Sequence, residues 1–180
     1  QGSRVVRGSK RRGGLLVGDT RDRILLTFFG SGYFPVAPGT AGSLASLLLG
    51  AVIYNVLPPE YQPFLFPVLA VFAMAGCVLP GERIEHLFGR KDPGAVVIDE
   101  AAGQYMALSV VPWLPQGWAP WVAAFLLFRL FDITKPLGIR KLEQRPAGWG
   151  VLLDDVAAGA VSAILLLILQ QLPGDLLGRF

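Results

Sequence analysis

The chain has little of three things that most globular enzymes use: charge, histidine and cysteine. Only 16% of its 180 residues are charged, whereas an ordinary soluble domain carries about 25%, and this shortage points to a protein that contacts lipid. The single cysteine, Cys77, can form no disulfide within the chain, so the fold does not depend on an oxidising compartment. The single histidine is His86. Without a second histidine, a well-placed cysteine or a Gly-x-Ser-x-Gly motif, neither a zinc site nor a catalytic triad is expected.

Lysine and arginine alternate between dense and empty segments along the chain. They number seven in 4–23, none in 57–63, three in 81–92, none in 111–120, five in 129–155 and one after 172. Cytoplasmic loops of membrane proteins carry such an excess, so the N-terminal tail and the two dense loops are predicted to face the cytoplasm. The basic residues lack the interleaved aromatic residues and the motif spacing of nucleic-acid binders, and no nucleic-acid partner is predicted.

Five apolar stretches lie between these segments, at 43–57, 63–80, 95–113, 118–131 and 156–172. They predict an all-α fold, a polytopic helical membrane bundle of about five apolar helices. Several stretches are shorter than the roughly 20 residues that a span needs, so polar flanks or a thinned bilayer must make up the difference. The competing interpretation is a compact soluble helical protein, since short apolar runs commonly form cores. The charge alternation favours the membrane.

The N-terminal part divides into a tail and a glycine-rich loop. Residues 1–3 are typical of the remnant left when a tag is cut off, and 1–23 is predicted to be a basic cytoplasmic tail. Residues 24–180 then form one helical domain. Its first part, 24–42, begins apolar but is broken by repeated glycine and proline, and this pattern predicts a re-entrant or interfacial loop before the first long helix.

Pro38-Gly39-Thr40-Ala41-Gly42-Ser43-Leu44 joins this loop to an apolar helix. Thr40 or Ser43 could cap the helix, and the free backbone N–H groups beyond the cap, at the positive end of the helix dipole, would suit a phosphate. The plainer alternative is a helix cap beside a flexible loop. The local sequence alone favours that alternative. Two glycines permit close approach of a ligand to the backbone, which makes the phosphate hypothesis more nearly equal to it.

Acidic side chains recur at the predicted cytoplasmic ends of the helices. Asp99 and Glu100 lie within an apolar stretch, where a carboxylate costs a few kcal/mol and normally serves a site. Asp154 and Asp155 open the last helix, where dipole-favoured capping is an equally good explanation. Steps of three place Arg129, Asp132 and Lys135 along one stripe of a helix, and Asp92 precedes a Pro-Gly turn.

The topology gathers these carboxylates at one membrane face. Clustered carboxylates repel one another unless they are neutralised, and an oxygen-only group suits a hard cation such as Mg²⁺ together with substrate phosphate. The predicted set is Asp92, Asp99, Glu100, Asp132, Asp154 and Asp155.

The same residues resemble the phosphatidylglycerophosphatase A family. The match runs from about residue 28 to 169, through four ordered blocks at 30–44, 92–103, 128–136 and 148–159. The resemblance implies a magnesium-dependent enzyme of the bacterial inner membrane that hydrolyses phosphatidylglycerophosphate to phosphatidylglycerol and phosphate. Its partners would be the phospholipid substrate and the bilayer, with no obligate protein partner. Where the family leads us to expect a His-Gly-Gly type sequence, the chain has Pro146-Ala147-Gly148-Trp149-Gly150, so no histidine can act there.

In this hypothesis each candidate residue has a role. Magnesium is held by Asp99, Glu100, Asp132, Asp154 and Asp155; Arg129 and Lys135 offset developing charge; Thr40, Ser43 and Asp92 help bind the phosphate end of the substrate. Attack by water and attack by an aspartate, with Asp132 as the nucleophile, both stay open. An ion-coupled transporter would explain Asp99 and Glu100, but not the gathering of charge at one face. A phosphotransferase acting on cytidine-diphosphate lipids would share the carboxylates, yet the chain lacks that family's single long acidic motif.

Overall fold

The computed structural model describes residues 17–80, 83–90, 93–136 and 149–171, and every regular element in these ranges is helical. This confirms the predicted all-α class. The α-helices are α1 (Val17–Leu26), α2 (Pro38–Val56), α3 (Gln62–Val78), α4 (Ile84–Phe88), α5 (Ile98–Leu108), α6 (Ala119–Thr134) and α7 (Trp149–Gln170), with short 3₁₀ turns at Ser31–Tyr33, Pro59–Tyr61 and Val111–Trp113.

Among the described residues, three helical segments are long and apolar enough to cross a membrane: Pro38–Val56, Pro59–Val78 and Leu152–Gln170. They correspond to the first, second and fifth predicted stretches. The other two stretches contain shorter helices, since α5 has 11 residues and α6 has 16. At 1.5 Å per residue these helices are about 16 and 24 Å long, less than the roughly 30 Å of hydrocarbon in a bilayer. The helix lengths therefore support a membrane protein with three candidate spans.

Helix α5 is the centre of the bundle and contacts α2, α3, α6 and α7. Nine of its eleven residues are buried, including the whole run from Ala101 to Tyr105. Small side chains predominate in that run, which lets neighbouring helices approach on several sides. Because α5 lies inside the bundle, polar groups on it are enclosed by protein rather than exposed to lipid.

The chain direction brings chemically similar helix ends together. The starts of α2, α5 and α7 and the end of α6 meet at one end of the bundle, where Lys135 contacts Asp154. At the opposite end, Gln170 at the end of α7 donates a hydrogen bond to the Trp113 carbonyl over 3.1 Å. We call the first end the site end, because the candidate carboxylates lie there.

The segment before α2 is more ordered than the predicted loop. Helix α1 runs to Leu26, and α2 begins at Pro38 instead of Ser43, because proline is well suited to the first position of a helix. Irregular backbone is confined to 27–37. Helix α1 is attached to α4, since Asp22 pairs with Arg83 at 3.3 Å and the Arg23 guanidinium donates to the Leu87 carbonyl.

Candidate functional site

Three carboxylates from two helices form the centre of the site. Asp99 and Glu100 lie in the first turn of α5, and Asp155 lies in the second turn of α7. One oxygen from each of the three falls within 4.8 Å of the others. The exposed fraction is 2% for Asp99 and 4% for Asp155. We call these residues the carboxylate cluster.

The structure places the two acidic pairs the opposite way round from the sequence prediction. Asp99 and Glu100, predicted inside a helix, stand at its start because α5 begins at Ile98. Asp154 and Asp155, predicted to open the last helix, stand one turn inside it because α7 begins at Trp149. Dipole capping therefore does not explain the second pair.

Glycine brings the two acidic helices into contact. A Cβ atom added at Gly159 of α7 would overlap the Gly103 carbonyl of α5, and one added at Gly103 would lie 2.6 Å from the Asp155 carbonyl. The two backbones are thus in direct contact one turn beyond the acidic residues, as small residues permit at helix interfaces. This contact fixes how far Asp155 lies from Asp99 and Glu100.

The start of α2 forms one wall of the site. A Cβ atom at Gly39 would overlap Glu100 Oε1 and would lie 3.5 Å from Arg129 Nη1, so both charged groups converge on this glycine. The residue preceding the helix is Ala37, with φ 50° and no side-chain cap, so Thr40 and Ser43 are not the caps that the sequence predicted. The first backbone bond of the helix runs from Ala41 N–H to the Ala37 carbonyl, leaving the N–H groups of Gly39 and Thr40 outside the helical ladder.

Arg129 connects α6 to α2. Its Nη1 lies 2.6 Å from Asp132 Oδ2 and donates a hydrogen bond to Ser43 Oγ over 3.3 Å. The Ser43 hydroxyl in turn donates to the Gly39 carbonyl over 2.8 Å. Ser43 has no exposed surface, so its visible role is to hold the guanidinium. Asp132 also interacts with the carboxyl group of Asp155, which places it beside the carboxylate cluster.

Lys135 and Asp154 form a second charged contact. Lys135 follows α6 in a left-handed conformation with φ 44°, and its Nζ lies 2.5 Å from Asp154 Oδ2. Of the five predicted magnesium ligands, the structure groups Asp99, Glu100 and Asp155, places Asp132 beside them, and pairs Asp154 with a lysine. Asp92, the remaining candidate for substrate binding, lies outside the described residues.

The donor set of the cluster fits a hard cation. Asp99 Oδ1 and Glu100 Oε2 are buried and have no hydrogen-bond partner within the described ranges. Buried carboxylates this close together repel one another unless protons or a cation neutralise them. Oxygen-only ligands of this kind are those that Mg²⁺ takes, usually one or two carboxylates with the rest from water and phosphate. The three carboxylates could therefore hold one Mg²⁺.

Gln104 belongs to the site's surroundings but was not among the candidates. It lies one turn after Glu100, has no exposed surface, and neither amide atom has a hydrogen-bond partner in the described part of the chain. The spacing of four residues from Glu100 was the available signal. The sequence placed Gln104 on the helical face of Glu100, and polar residues in an apolar helix normally face the bundle interior; the structure encloses the side chain accordingly.

A cavity of about 770 Å³ opens at the other end of the bundle. Its walls include Tyr54, Gln62, Trp118 and Trp121, and none of the described residues that line it is charged. Recognition of a phosphate group calls for cations or free N–H groups, which are found at the site end. The cavity is therefore not where a phosphate ester would react.

The chain matches known proteins over most of its length. The family model of phosphatidylglycerophosphatase A matches residues 24–170. A Bacteroides thetaiotaomicron protein named as a candidate phosphatidylinositol-3-phosphatase is 41% identical over 149 residues, which cover 82% of this chain and 92% of that protein. The phosphatidylglycerophosphatase A of Haemophilus influenzae is 36% identical, covering 82% of this chain and 87% of the relative, and that of Escherichia coli is 33% identical, covering 78% of each. No solved structure matches the chain.

Proposed function

Since the chain belongs to the phosphatidylglycerophosphatase A family, we propose that it hydrolyses phosphatidylglycerophosphate at the carboxylate cluster with the help of Mg²⁺. The activity is that of a phosphoric monoester hydrolase, which yields phosphatidylglycerol and phosphate. Family membership decides against the transporter and the phosphotransferase. The observation that carries the assignment to this site is that Glu100, one of the three clustered carboxylates, and Arg129 meet at Gly39 in the first turn of α2.

The cluster would hold the metal through Asp99, Glu100 and Asp155, with Asp132 adjoining. Bound there, Mg²⁺ would supply positive charge against the phosphate oxygens and the developing charge of the reaction. The two unpartnered oxygens of Asp99 and Glu100 support this placement. Asp132 pairs with Arg129 and lies beside Asp155, so it connects the proposed metal ligands to the Arg129 guanidinium.

The phosphate group would lie against the first turn of α2. The N–H groups of Gly39 and Thr40 are available there at the positive end of a 19-residue helix. Arg129, held by Ser43 and Asp132, borders the same point and would stabilise negative charge on the phosphate. Lys135 adds a second cation at the end of α6, next to Asp154.

The membrane orientation follows from the helix ends. We infer that the protein lies in the bacterial inner membrane with the site end towards the cytoplasm, because the lysine-rich and arginine-rich segments adjoin that end. Five crossings would result from α2, α5 and α7 starting at the site end and α3 and α6 returning to it. Helices α5 and α6 would then rely on flanking residues, or on a thinner bilayer, to complete the crossing.

Phosphate release from phosphatidylglycerophosphate tests the proposal. The purified protein should release phosphate when Mg²⁺ is present, lose activity in EDTA and regain it when Mg²⁺ is added back. Asp99→Asn should lower turnover at least about 100-fold, as expected when a metal ligand is removed. His86→Ala is the matched control and should change turnover little, because His86 is exposed on α4.

Two results would contradict the proposal in different ways. Full activity in EDTA would show that the reaction needs no metal ion. Near-normal turnover in Asp99→Asn would show that Asp99 is not part of the site. Absence of phosphate release from this lipid under any metal condition would overturn the function itself.

A further inference from the structure

The loop before α2 exposes large apolar side chains at the site end. Phe29 is 72% exposed, Tyr33 and Phe34 are each 58% exposed, and Val36 is 72% exposed. No charged residue occurs between 24 and 59. Side chains this apolar are unfavourable in water when they cluster on a surface, and such a patch marks a contact with lipid or protein. We call residues 29–36 the aromatic loop.

The aromatic loop continues an apolar stripe on α2. Leu44, Leu48, Val52 and Val56 recur every four residues along one face of the helix and are 44%, 56%, 64% and 78% exposed. Helix α2 is one of the segments long and apolar enough to cross a membrane, so this stripe is the face that lipid chains would cover. The loop carries the same kind of surface onwards from the first turn of α2.

The structure fixes the loop beside the first turn of α2, the turn proposed to bind the phosphate. Val97 N–H donates to the Leu26 carbonyl over 2.9 Å, which joins the segment before the loop to the residues preceding α5. Gly32 lies so close to the Ala95 carbonyl that a Cβ atom there would overlap it. The loop is thus held against the chain that leads into Asp99 and Glu100. Ala37 alone separates it from Pro38 and Gly39 in the first turn of α2.

From these three observations we propose that the aromatic loop lies in the acyl chains at the bilayer interface and forms the side from which the phospholipid substrate enters the site. The occupant is the acyl-chain region of the bilayer, because the loop is continuous with the lipid-facing stripe of α2. The headgroup of a lipid positioned there would reach the start of α2 without leaving the membrane. The entry role rests on the proposed function, whereas the placement of the loop in lipid does not.

Site-directed fluorescence tests the placement without measuring activity. In a Cys77→Ala background, Phe34→Cys carries an environment-sensitive fluorophore in vesicles of phosphatidylethanolamine and phosphatidylglycerol. Quenching by doxyl-labelled lipid should be strong and quenching by aqueous iodide weak. His86→Cys is the matched control, because His86 is exposed on α4 and should show the opposite pattern.

The same labels distinguish lipid from water and from a second copy of the chain as the surroundings of the aromatic loop. Strong iodide quenching at Phe34→Cys would place the loop in water and overturn the proposal. Self-quenching that rises with the protein-to-lipid ratio would mean that a second copy of the chain covers the loop, and would also overturn it.

Substrate chain length tests the entry role. Phe34→Asp removes apolar contact from the loop and adds a charge, so kcat/KM on long-chain phosphatidylglycerophosphate in vesicles should fall about tenfold or more relative to kcat/KM on a short-chain, soluble analogue. Equal losses on both substrates would show a general structural defect and contradict lateral entry. Wild-type protein that hydrolyses neither substrate would instead contradict the proposed function.

Discussion

At the scale of single residues, the contact between Gly39 and Glu100 determines the shape of the site. The Glu100 carboxylate occupies the place that a side chain at Gly39 would need, and Arg129 reaches the same point from α6. Glycine is required there because the three groups approach within contact distance. The first turn of α2, which is the proposed phosphate-binding turn, therefore adjoins the carboxylate cluster.

Adding one methyl group at this contact should displace the carboxylate. We expect Gly39→Ala to lower turnover by roughly 10-fold to 100-fold, since a misplacement of about 1 Å in a catalytic group has effects of this size. Steady-state phosphate release measures the loss. Gly94→Ala is the matched control, because a Cβ atom at Gly94 meets nothing within 4 Å.

A double-mutant cycle separates the steric contact from other effects of alanine. Glu100→Asp shortens the acidic side chain by one methylene, so adding Gly39→Ala to that variant should cost less than adding it to the wild-type chain. Equal costs in the two backgrounds would show that Gly39 does not act through Glu100.

The sequence predicted the charged residues of the candidate site and placed Arg129 and Asp132 on one helical stripe, but it did not predict the contacts between helices. Asp99, Glu100, Asp132 and Asp155 stood out because carboxylates are rare among apolar residues. The Arg129–Ser43 hydrogen bond joins residues 86 positions apart, and no local pattern reports such a distance. Ser43 was chosen as a helix cap, whereas its observed contact depends on how α2 and α6 pack. The individual catalytic and metal-binding roles stay predictions.

At the scale of elements, the α5–α7 pair carries the acidic residues of two blocks. The sequence showed a weak echo between Asp99-Glu100-Ala101-Ala102-Gly103 and Asp154-Asp155-Val156-Ala157-Ala158-Gly159. In the structure these segments belong to two helices in contact, and each contributes the glycine at their crossing. The similarity therefore reflects a shared packing requirement, in which small residues follow an acidic pair.

A larger side chain at this crossing should separate the helices. Gly159→Val would place new atoms against the Gly103 carbonyl and Met106; overpacking of this kind costs about 1–3 kcal/mol. We expect a lower Tm together with loss of phosphate release, because Asp155 moves away from Asp99. Thermal unfolding in detergent measures the first effect.

The neighbouring residue provides the control for that substitution. Ala160→Val adds the same branched side chain to the same helix at a half-buried position. It should leave turnover within about twofold of the wild-type value, since it does not face the crossing. A normal Tm and normal turnover in Gly159→Val would rule out a tight α5–α7 contact.

Helix boundaries were less predictable than helix existence. Hydropathy placed the first apolar helix at 43, because Pro38, Gly39 and Gly42 look like breakers; the structure starts it at Pro38, where proline occupies the first position. Hydropathy started the last apolar stretch at 156, with Asp154 and Asp155 predicted to open the helix, whereas the structure accommodates Asp154 one turn inside it through Lys135. Such tertiary pairings lower the free-energy cost of burying a charged side chain. Hydropathy averaged along the sequence does not detect them.

At the scale of the whole molecule, the orientation in the bilayer can be measured with single cysteines. In intact spheroplasts of a Cys77→Ala variant, Gln116→Cys should react with a membrane-impermeant maleimide. Glu85→Cys should be protected until lysis. Gln116 is exposed at the end opposite the site and Glu85 is exposed on α4 at the site end, so the two residues report on opposite faces.

Gly138 belongs to the second dense loop, which the charge pattern predicts to be cytoplasmic. It lies outside the described residues, and Gly138→Cys should be protected like Glu85→Cys. The expected pattern follows from the excess of lysine and arginine on the cytoplasmic side. Reaction of Glu85→Cys from outside, with protection of Gln116→Cys, would reverse the orientation and place the site in the periplasm.

The Lys135–Asp154 pair affects how the protein tolerates insertions and deletions in its sequence. Its two residues are 19 positions apart and hold the end of α6 against α7 whatever path the chain takes between them. Doubling the length of a flexible connection raises the entropic cost of closing it by only about 0.6 kcal/mol. Insertions and deletions between them that leave α6 and α7 intact should therefore have little effect on the acidic residues. The replacement of the expected His-Gly-Gly type sequence by Pro146-Ala147-Gly148-Trp149-Gly150 falls between the two paired residues.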